Sequence, residues 1–203
     1  MSYKEDYMSR KLEILTTALK LFNTTNTQTA TTNHIAKEMG ISPGNLHYHY
    51  KNREEIILYL YKQMREKMTL SIEELPKTIK ELNEHQKVLM KVQWEYRFFF
   101  KEILFLFSRD KELERLYIED NIAHRSRIKI SLGVFMSSGE LNIKDEETLE
   151  YLVDAVLMSW QFYISYLQTL GKGLDSECSS GAIKYVNDAM KPYTTQGESD
   201  ARA

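Results

Sequence analysis

The side chains best suited to chemistry lie in one polar segment, TTNHIAKEMGISPGNLHYHYKNR, at residues 31–53. Its second half is rich in hydrogen-bonding groups: Asn45, His47, Tyr48 and His49. Amide, imidazole and hydroxyl groups can bind phosphates or read the edges of DNA bases, whereas an ordinary solvated helix face presents mostly Lys and Glu. The segment therefore predicts contact with double-stranded DNA.

The capping residues of this segment predict two short helices joined by a tight turn. Thr31 or Thr32 can cap the first helix, and Gly40 ends it because glycine tolerates the left-handed conformation. Ser42 and Pro43 supply the N-cap and first-turn proline of the second helix. Apolar residues fall beneath the crossing: Ile35, Ala36, Ile41 and Leu46. The pattern predicts a helix-turn-helix whose outward positions are Pro43, Gly44, Asn45, His47, Tyr48 and His49.

Neighbouring elements must hold this module in place. A helix over residues 9–24 is predicted by one apolar stripe: Leu12, Leu15, Ala18, Leu19 and Phe22. Asn52 and Glu55 form a capping-box signal that opens a long helix toward Met68, and Pro76 breaks this helix or follows it in a loop. This long helix would link the DNA-binding module to the rest of the chain.

The remaining sequence also predicts helices. Residues 84–108 are apolar on nearly every side, which predicts one buried helix, and a further helix runs to about residue 137. Two amphipathic helices follow at 145–170 and 182–190. The chain has 203 residues, 42% of them hydrophobic, with three prolines and eight glycines. These features predict an all-α protein.

Composition also bounds the location and the partners. Residues 1–67 contain 10 Lys and Arg against 7 Asp and Glu, whereas the rest of the chain is net acidic. This asymmetry places the nucleic-acid partner at the N-terminal end. No run of about 20 apolar residues and no signal peptide are evident, which predicts a cytoplasmic protein without a membrane partner. A single cysteine, Cys178, fits a reducing compartment and a passive thiol better than a redox role.

An enzyme is the competing class. Asp120 and His124 stand four residues apart on a helix and could share a metal, but they supply only two of the three or four ligands required. There is no catalytic-triad spacing, glycine-rich phosphate loop or CxxC pair. We therefore expect no catalytic residues, metal or cofactor. A helical protein–protein adaptor remains an alternative, although it leaves the polar outward face of residues 43–49 unexplained.

The stretch from Arg10 to Leu60 resembles the DNA-binding domain of the TetR family of transcriptional repressors. It contains a helix ending in LKLF, an IA..MG turn and the sequence SPGNLHYHYKNREEI. Outside this stretch, YRFFFKEILFLFSRD is similar to a ligand-domain motif of some members. The chain departs from the family at His47, usually Tyr; at Tyr50, usually Phe; and at Arg53, usually Lys. The usual glycine-rich segment before the second helix is replaced by NTTNTQTATT.

The resemblance implies a fold and a set of DNA contacts. It implies an N-terminal three-helix DNA-binding domain at 1–53 and a helical ligand-binding and dimerisation domain at 54–193. The tail at 194–203 is polar enough to be disordered. Such a protein would bind a palindromic operator as a homodimer, with Pro43 and Asn45 near base edges. The expected DNA-binding residues are Thr32, Asn33, Pro43, Asn45, His47, Tyr48, His49, Lys51 and Arg53.

Aromatic residues of the second domain are either ordinary core or the walls of a ligand cavity. A bundle helix buried on several sides leaves space between its neighbours, and apolar walls with a few polar groups are usual for a small-molecule site. A mainly apolar effector is therefore expected. The predicted ligand-binding residues are Trp94, Phe98, Phe105, Tyr117, Asn121, His124, Trp160, Gln161 and Tyr163.

The last two helices carry apolar stripes that could pack within one subunit. The resemblance instead implies a four-helix interface between two copies of the chain. The residues predicted to form this homodimer interface are Leu149, Val153, Val156, Ile183 and Val186.

Overall fold

The computed structural model describes residues 3–173, 175 and 180–195. Within this part of the chain the regular elements are helices: α1 Tyr3–Thr24, α2 Thr32–Glu38, α3 Pro43–His49, α4 Arg53–Met68, α5 Ile79–Glu95, α6 Arg97–Arg109, α7 Lys111–Ser137, α8 Glu146–Thr169 and α9 Ser180–Met190, followed by a short 3₁₀ turn at Lys191–Tyr193. The predicted all-α class is confirmed. Cys178 and most of the predicted tail lie outside the described residues, while Thr194 forms an isolated bridge with Leu141.

Two helix boundaries differ from the sequence prediction. The single helix expected over 84–108 is two helices, because Tyr96 leaves the helical conformation at φ −105° and ψ 29°. The Phe99 N–H then donates to the Tyr96 carbonyl at 3.0 Å at the start of α6. Helix α1 also begins six residues earlier than the predicted residue 9. Sequence periodicity identified the helical segments but not where one long apolar run would divide into two helices.

The chain forms two compact units. The first comprises Met1–Lys67 and Tyr96–Glu114, and the second comprises Met68–Glu95 and Arg115–Ala203. The first unit contains the helix-turn-helix together with α6 and most of α4. Two helices contribute residues to both units: α4 near its end and α7 near its start.

The core of the first unit is built by α1 and the phenylalanines of α6. Leu15, Ala18 and Phe22 of α1 are buried, whereas Leu12, predicted to share their stripe, is exposed. The ring of Phe98 lies 5.3 Å from that of Phe22, and Phe99 stacks on Tyr61 with ring centroids 5.2 Å apart. Consecutive side chains point about 100° apart on a helix. Each phenylalanine therefore meets a different neighbour.

A buried polar clamp fixes the loop between α1 and α2. Thr27 is 0% exposed, and its backbone N–H and its hydroxyl both donate to the Glu102 carboxylate of α6, the N–H at 3.0 Å and the hydroxyl at 2.6 Å. The Thr27 carbonyl accepts from the Arg53 guanidinium of α4 at 2.5 Å. Nearby, the Asn23 side chain accepts the Phe98 N–H at 3.1 Å, which satisfies a donor at the start of α6. Two charged side chains therefore hold this loop in place.

The second unit has its own apolar core between α5, α7, α8 and α9. Buried members include Leu132, Phe135, Leu152, Val186 and Met190. The interface residues predicted from the sequence belong largely to this core: Leu149, Val153, Val156 and Val186 are buried, and Ile183 is half-buried. The prediction that these side chains face a partner subunit is therefore wrong for the four buried ones. They pack within one subunit, which is the alternative that helical periodicity left open.

The clamp on Thr27 generates a stability prediction. Replacing Glu102→Ala would leave the buried N–H and hydroxyl of Thr27 without an acceptor, so we expect the free energy of unfolding of this unit to fall by about 1–3 kcal/mol. Urea unfolding followed by circular dichroism measures the loss. The matched control is Glu112→Ala, which removes an exposed ion pair to Lys62 at 3.6 Å and should cost less than about 1 kcal/mol. Equal effects for both variants would contradict the role assigned to Glu102.

Candidate nucleic-acid interface and ligand cavity

Local capping builds the helix-turn-helix as predicted. The Thr31 hydroxyl accepts the His34 N–H at 3.3 Å, and the His34 ring accepts the Thr31 N–H, which completes a capping box at the start of α2. Gly40 ends the helix with φ of 66°, and the Ile41 N–H bonds to the Ala36 carbonyl at 3.0 Å. The Ser42 side chain then caps α3 by accepting the Asn45 N–H at 3.1 Å. These bonds fix the turn without help from distant residues.

The outward face of α3 is polar and accessible. Pro43, Asn45 and His47 are exposed, and Tyr48 is 62% exposed, while Leu46 is buried beneath them. The His47 Nδ1 lies 3.1 Å from the Lys51 carbonyl. Because a carbonyl oxygen can only accept, Nδ1 donates its proton to it, and Nε2 is the ring atom left for a DNA contact. The face can therefore offer both donors and acceptors to a groove.

His49 departs from the predicted outward face. It is 8% exposed, and its ring packs against Tyr7 of α1 with centroids 4.8 Å apart. The edge of Tyr7 also meets the ring of Tyr48 at 5.8 Å. Position 49 is three residues from Leu46, so it lies close to the buried side of the helix. A polar ring at this position therefore need not face outward. Sequence analysis missed Tyr7 because it placed the start of α1 at residue 9.

Arg53 is the second departure among the predicted DNA contacts. Its side chain is 19% exposed, and its guanidinium donates to the Thr27 and Gln28 carbonyls and to Glu54. The expectation that it mainly holds DNA phosphate is therefore corrected, since its donors are directed into the protein. Lys51 and Asn33 are exposed and Thr32 is half-buried, as outward contacts require.

The second unit contains a small, mainly apolar cavity. Its volume is about 60 Å³, room for a few water molecules rather than for a drug-sized ligand. Its lining comes from the end of α4, the α4–α5 loop, α5, α7 and α8: Met68, Leu70, Leu75, Pro76, Leu82, His85, Gln86, Leu89, His124, Arg127, Ile128, Ser131, Leu132, Phe135, Val156 and Trp160. None of these lining residues is acidic. One wall is a loop, so that wall can move without breaking a helix.

Only two of the nine predicted ligand-binding residues, His124 and Trp160, line this cavity. Phe98 and Phe105 belong to the first unit, so the structure does not bring them to the cavity. Gln161 donates to the Asn121 side chain at 2.5 Å, and burial raises the pKa of the neighbouring Tyr117 hydroxyl. Trp94, Tyr117, Asn121, Gln161 and Tyr163 lie in the second unit outside the cavity lining. The sequence could not show which apolar face of each helix would enclose space.

Metal sites and membrane-spanning helices were also considered among the described residues. Within the described ranges, no group of three or more His, Cys, Asp and Glu side chains is placed to hold a metal ion. None of the described helices is long and apolar enough to cross a membrane.

A capped helix-turn-helix with an accessible polar α3, joined to a second helical unit with its own cavity, defines a DNA-binding regulator. Family comparison agrees. Residues 14–60 match the model for bacterial regulatory proteins of the tetR family, and residues 60–201 match a TetR model described as a bacterial transcriptional repressor. The chain belongs to the TetR family of transcriptional regulators. Regulators of this family are DNA-binding proteins and not enzymes.

Solved structures share the fold. A TetR-family regulator from Marinobacter aquaeolei VT8 is 24% identical, with a TM-score of 0.83 over 96% of this chain and 92% of its own. PfmR from Thermus thermophilus is 17% identical, with a TM-score of 0.68 over 88% and 97%. SmeT in complex with triclosan is 14% identical, with a TM-score of 0.61 over 93% of both chains. No curated protein is similar enough in sequence to count as a match.

The contact of Tyr7 with α3 generates a prediction about DNA affinity. Tyr7→Ala would remove the ring that packs on His49 and Tyr48, so we expect operator binding to weaken by about 0.5–1.5 kcal/mol, the usual value of such ring pairs. Fluorescence anisotropy with labelled operator DNA measures the change. Met8→Ala, at an exposed position of the same helix, is the control and should bind normally. If Tyr7→Ala binds as tightly as the control, Tyr7 does not position α3.

Proposed function

We propose that this protein is a repressor that binds a palindromic operator as a homodimer and is released by a small, mainly apolar molecule. Members of its family bind operator DNA and small-molecule effectors as dimers. The observation that most supports DNA binding here is the exposed polar face of α3, with Asn45 beside the capped N-terminus and Tyr48 further along. The protein would bind its operator in the cytoplasm.

The roles proposed for the α3 side chains follow from their positions. Residues at the start of a recognition helix approach base edges in the major groove. Asn45 can make paired hydrogen bonds to adenine, whereas Lys51 is exposed after the end of α3, where its ammonium group would donate to phosphates. His47 replaces the tyrosine usual in the family. Its Nδ1 is hydrogen-bonded to the Lys51 carbonyl, so Nε2 is the ring atom left to contact DNA in place of the tyrosine hydroxyl.

These roles predict different responses to two substitutions. Asn45→Ala should cost about 1–3 kcal/mol at the operator and relax specificity at one base position, because a base contact carries sequence information. Lys51→Ala should weaken operator and random DNA alike and reduce the salt dependence by about one unit, because a phosphate contact does not. Titrations on both DNAs at several salt concentrations separate the two effects. An equal loss on operator and random DNA for Asn45→Ala would remove it from the base contacts.

The proposed dimer uses an exposed stripe, not the core residues that sequence analysis selected. Large apolar side chains are exposed along one side of α8, at the residue that follows it and on α9: Tyr151, Met158, Phe162, Tyr166, Leu170 and Tyr185. The four members within α8 recur at helical spacing over about 23 Å of helix. A continuous apolar stripe of this length is unusual on a monomer and is a common mark of an interface. A second copy of α8 and α9 is therefore the proposed partner.

Charge placed on this stripe should separate the subunits without unfolding them. Met158→Glu combined with Phe162→Glu would put carboxylates at the centre of the interface, where burial without partners is unfavourable, so we expect a folded monomer that no longer binds the palindrome. Light scattering, circular dichroism and operator titration measure these three properties. Ile122→Glu, at an exposed apolar position of α7, is the control and should remain dimeric. A dimer that survives the α8 changes but not Ile122→Glu would move the interface to α7.

Release by an effector is proposed to begin at the cavity of the second unit. Because the cavity is small, a ligand must displace its walls, and α4 and α7 contribute both to these walls and to the first unit. Two recognition helices fit successive major grooves only when their centres lie about 34–36 Å apart. A ligand that binds better to a subunit arrangement with a different spacing would therefore lower operator occupancy.

A further inference from the structure

The cavity of the second unit contains one charged side chain, and that charge has no counter-ion. Arg127 of α7 lines the cavity and has no hydrogen bond or ion pair among the described residues. The cations two residues before and after it on α7 do form ion pairs with α8. Arg125 is bound by Glu150 and by Asp154, the latter at 2.8 Å, and Lys129 is bound by Glu146 and by Glu150, the latter at 2.5 Å.

The pairing of α7 and α8 therefore leaves out Arg127. The carboxylates of α8 that face α7 are used by the cations on either side of it. Arg127 is half-buried, and a guanidinium that loses part of its hydration against an apolar wall favours an anionic partner. This placement is suited to an anion that comes from outside the protein.

Helix α5 supplies a second unsatisfied group. Gln86 is 3% exposed and lines the cavity, yet neither atom of its side-chain amide has a hydrogen-bond partner among the described residues. Beside it, burial lowers the pKa of the His85 imidazole, so the ring is neutral and can donate one hydrogen bond. Buried amides are nearly always hydrogen-bonded in folded proteins, so an unpaired one calls for an explanation. A ligand with acceptor oxygens provides one.

The remaining lining residues indicate what the rest of that ligand, apart from its charged group, must be like. Most lining residues are apolar, among them Leu82, Leu89, Leu132, Phe135 and Trp160. No carboxylate lines the cavity, which disfavours a cationic ligand, and one guanidinium cannot neutralise a polyanion. The lining therefore matches a single negative charge attached to an apolar body.

We propose that the cavity binds a monoanionic amphiphile, with its carboxylate held by Arg127 and Gln86 and its apolar body among the leucine, phenylalanine and tryptophan side chains. This assignment rests on the proposed effector function and names the chemical class of that effector. Straight-chain and aromatic carboxylates share this chemistry.

Binding of matched probes to the protein tests the assignment. The probes are decanoate, its neutral methyl ester, decylamine and 2-naphthoate, followed by calorimetry and by the fluorescence of Trp160 in a Trp94→Phe background. We expect a carboxylate to bind more tightly than the ester and the amine. Whether decanoate or 2-naphthoate binds better shows which kind of body the cavity prefers. If no carboxylate binds, or if the ester or the amine binds as tightly as the acid, the proposal is overturned.

Variants of Arg127 test the role of the charge. Arg127→Gln should weaken carboxylate binding at least about tenfold, because a charge-assisted hydrogen bond is lost, and should leave ester binding unchanged. Arg127→Lys should recover part of the affinity. Arg115→Gln, which removes an exposed guanidinium from the same helix, is the matched control and should bind like the unmodified protein. Equal carboxylate affinity for the Arg127→Gln and Arg115→Gln variants would overturn the assignment.

Operator release distinguishes this proposal from the function on which it rests. Anisotropy of labelled operator DNA is followed while each probe is added. If decanoate binds in an Arg127-dependent manner but leaves the operator bound, the proposed anion site is supported and the proposed release function is contradicted. If the methyl ester releases the operator as well as decanoate does, effector release stands and the anionic head group is overturned.

Discussion

The position of the DNA-binding module depends on how one buried loop residue satisfies its polar groups. Thr27 lies in the polar run that replaces the glycine-rich segment usual in the family, and its N–H, hydroxyl and carbonyl all bond to charged side chains. Glu102 comes from α6 and Arg53 from α4, so the loop ties both helices to the start of α2. Arg53 contacts the Thr27 and Gln28 carbonyls and Glu54 at once, which a lysine's compact ammonium group would do less well. The departure from the family's lysine at this position therefore has a structural reason.

Sequence reasoning was most successful where structure is decided by near neighbours. The caps at Thr31 and Ser42 and the turn at Gly40 need only residues within a few positions, and all three are formed as predicted. The outward placement of His49 failed because Tyr7, more than forty positions earlier in the chain, covers it. Residue type indicates what a side chain can bind, but only tertiary packing decides whether solvent or DNA can reach it.

Helix α8 shows the same limit for apolar residues. Its sequence carries two apolar stripes: one, including Val153 and Val156, faces the subunit's own core, and the other, including Met158 and Phe162, is exposed. Periodicity finds both stripes, since each repeats at helical spacing, but cannot say which one meets α7 and α9. The aromatic run of α6 gave a similar ambiguity. Its rings fill the core of the first unit, and the cavity formed elsewhere.

The proposed effector site shows how unsatisfied polar groups could contribute to sensing. Neither amide atom of Gln86 has a hydrogen-bond partner among the described residues, and each such buried group costs about 1–3 kcal/mol. The proposed carboxylate would accept from the Gln86 amide nitrogen and neutralise Arg127, which removes the cost of that nitrogen only in the state that admits the ligand. Reversing a two-state equilibrium from 1:99 to 99:1 requires about 5.5 kcal/mol of differential binding. In the proposed release, polar pairing would supply part of that difference and the burial of apolar surface as the walls open would supply the remainder, so such a site needs both apolar walls and unsatisfied polar groups.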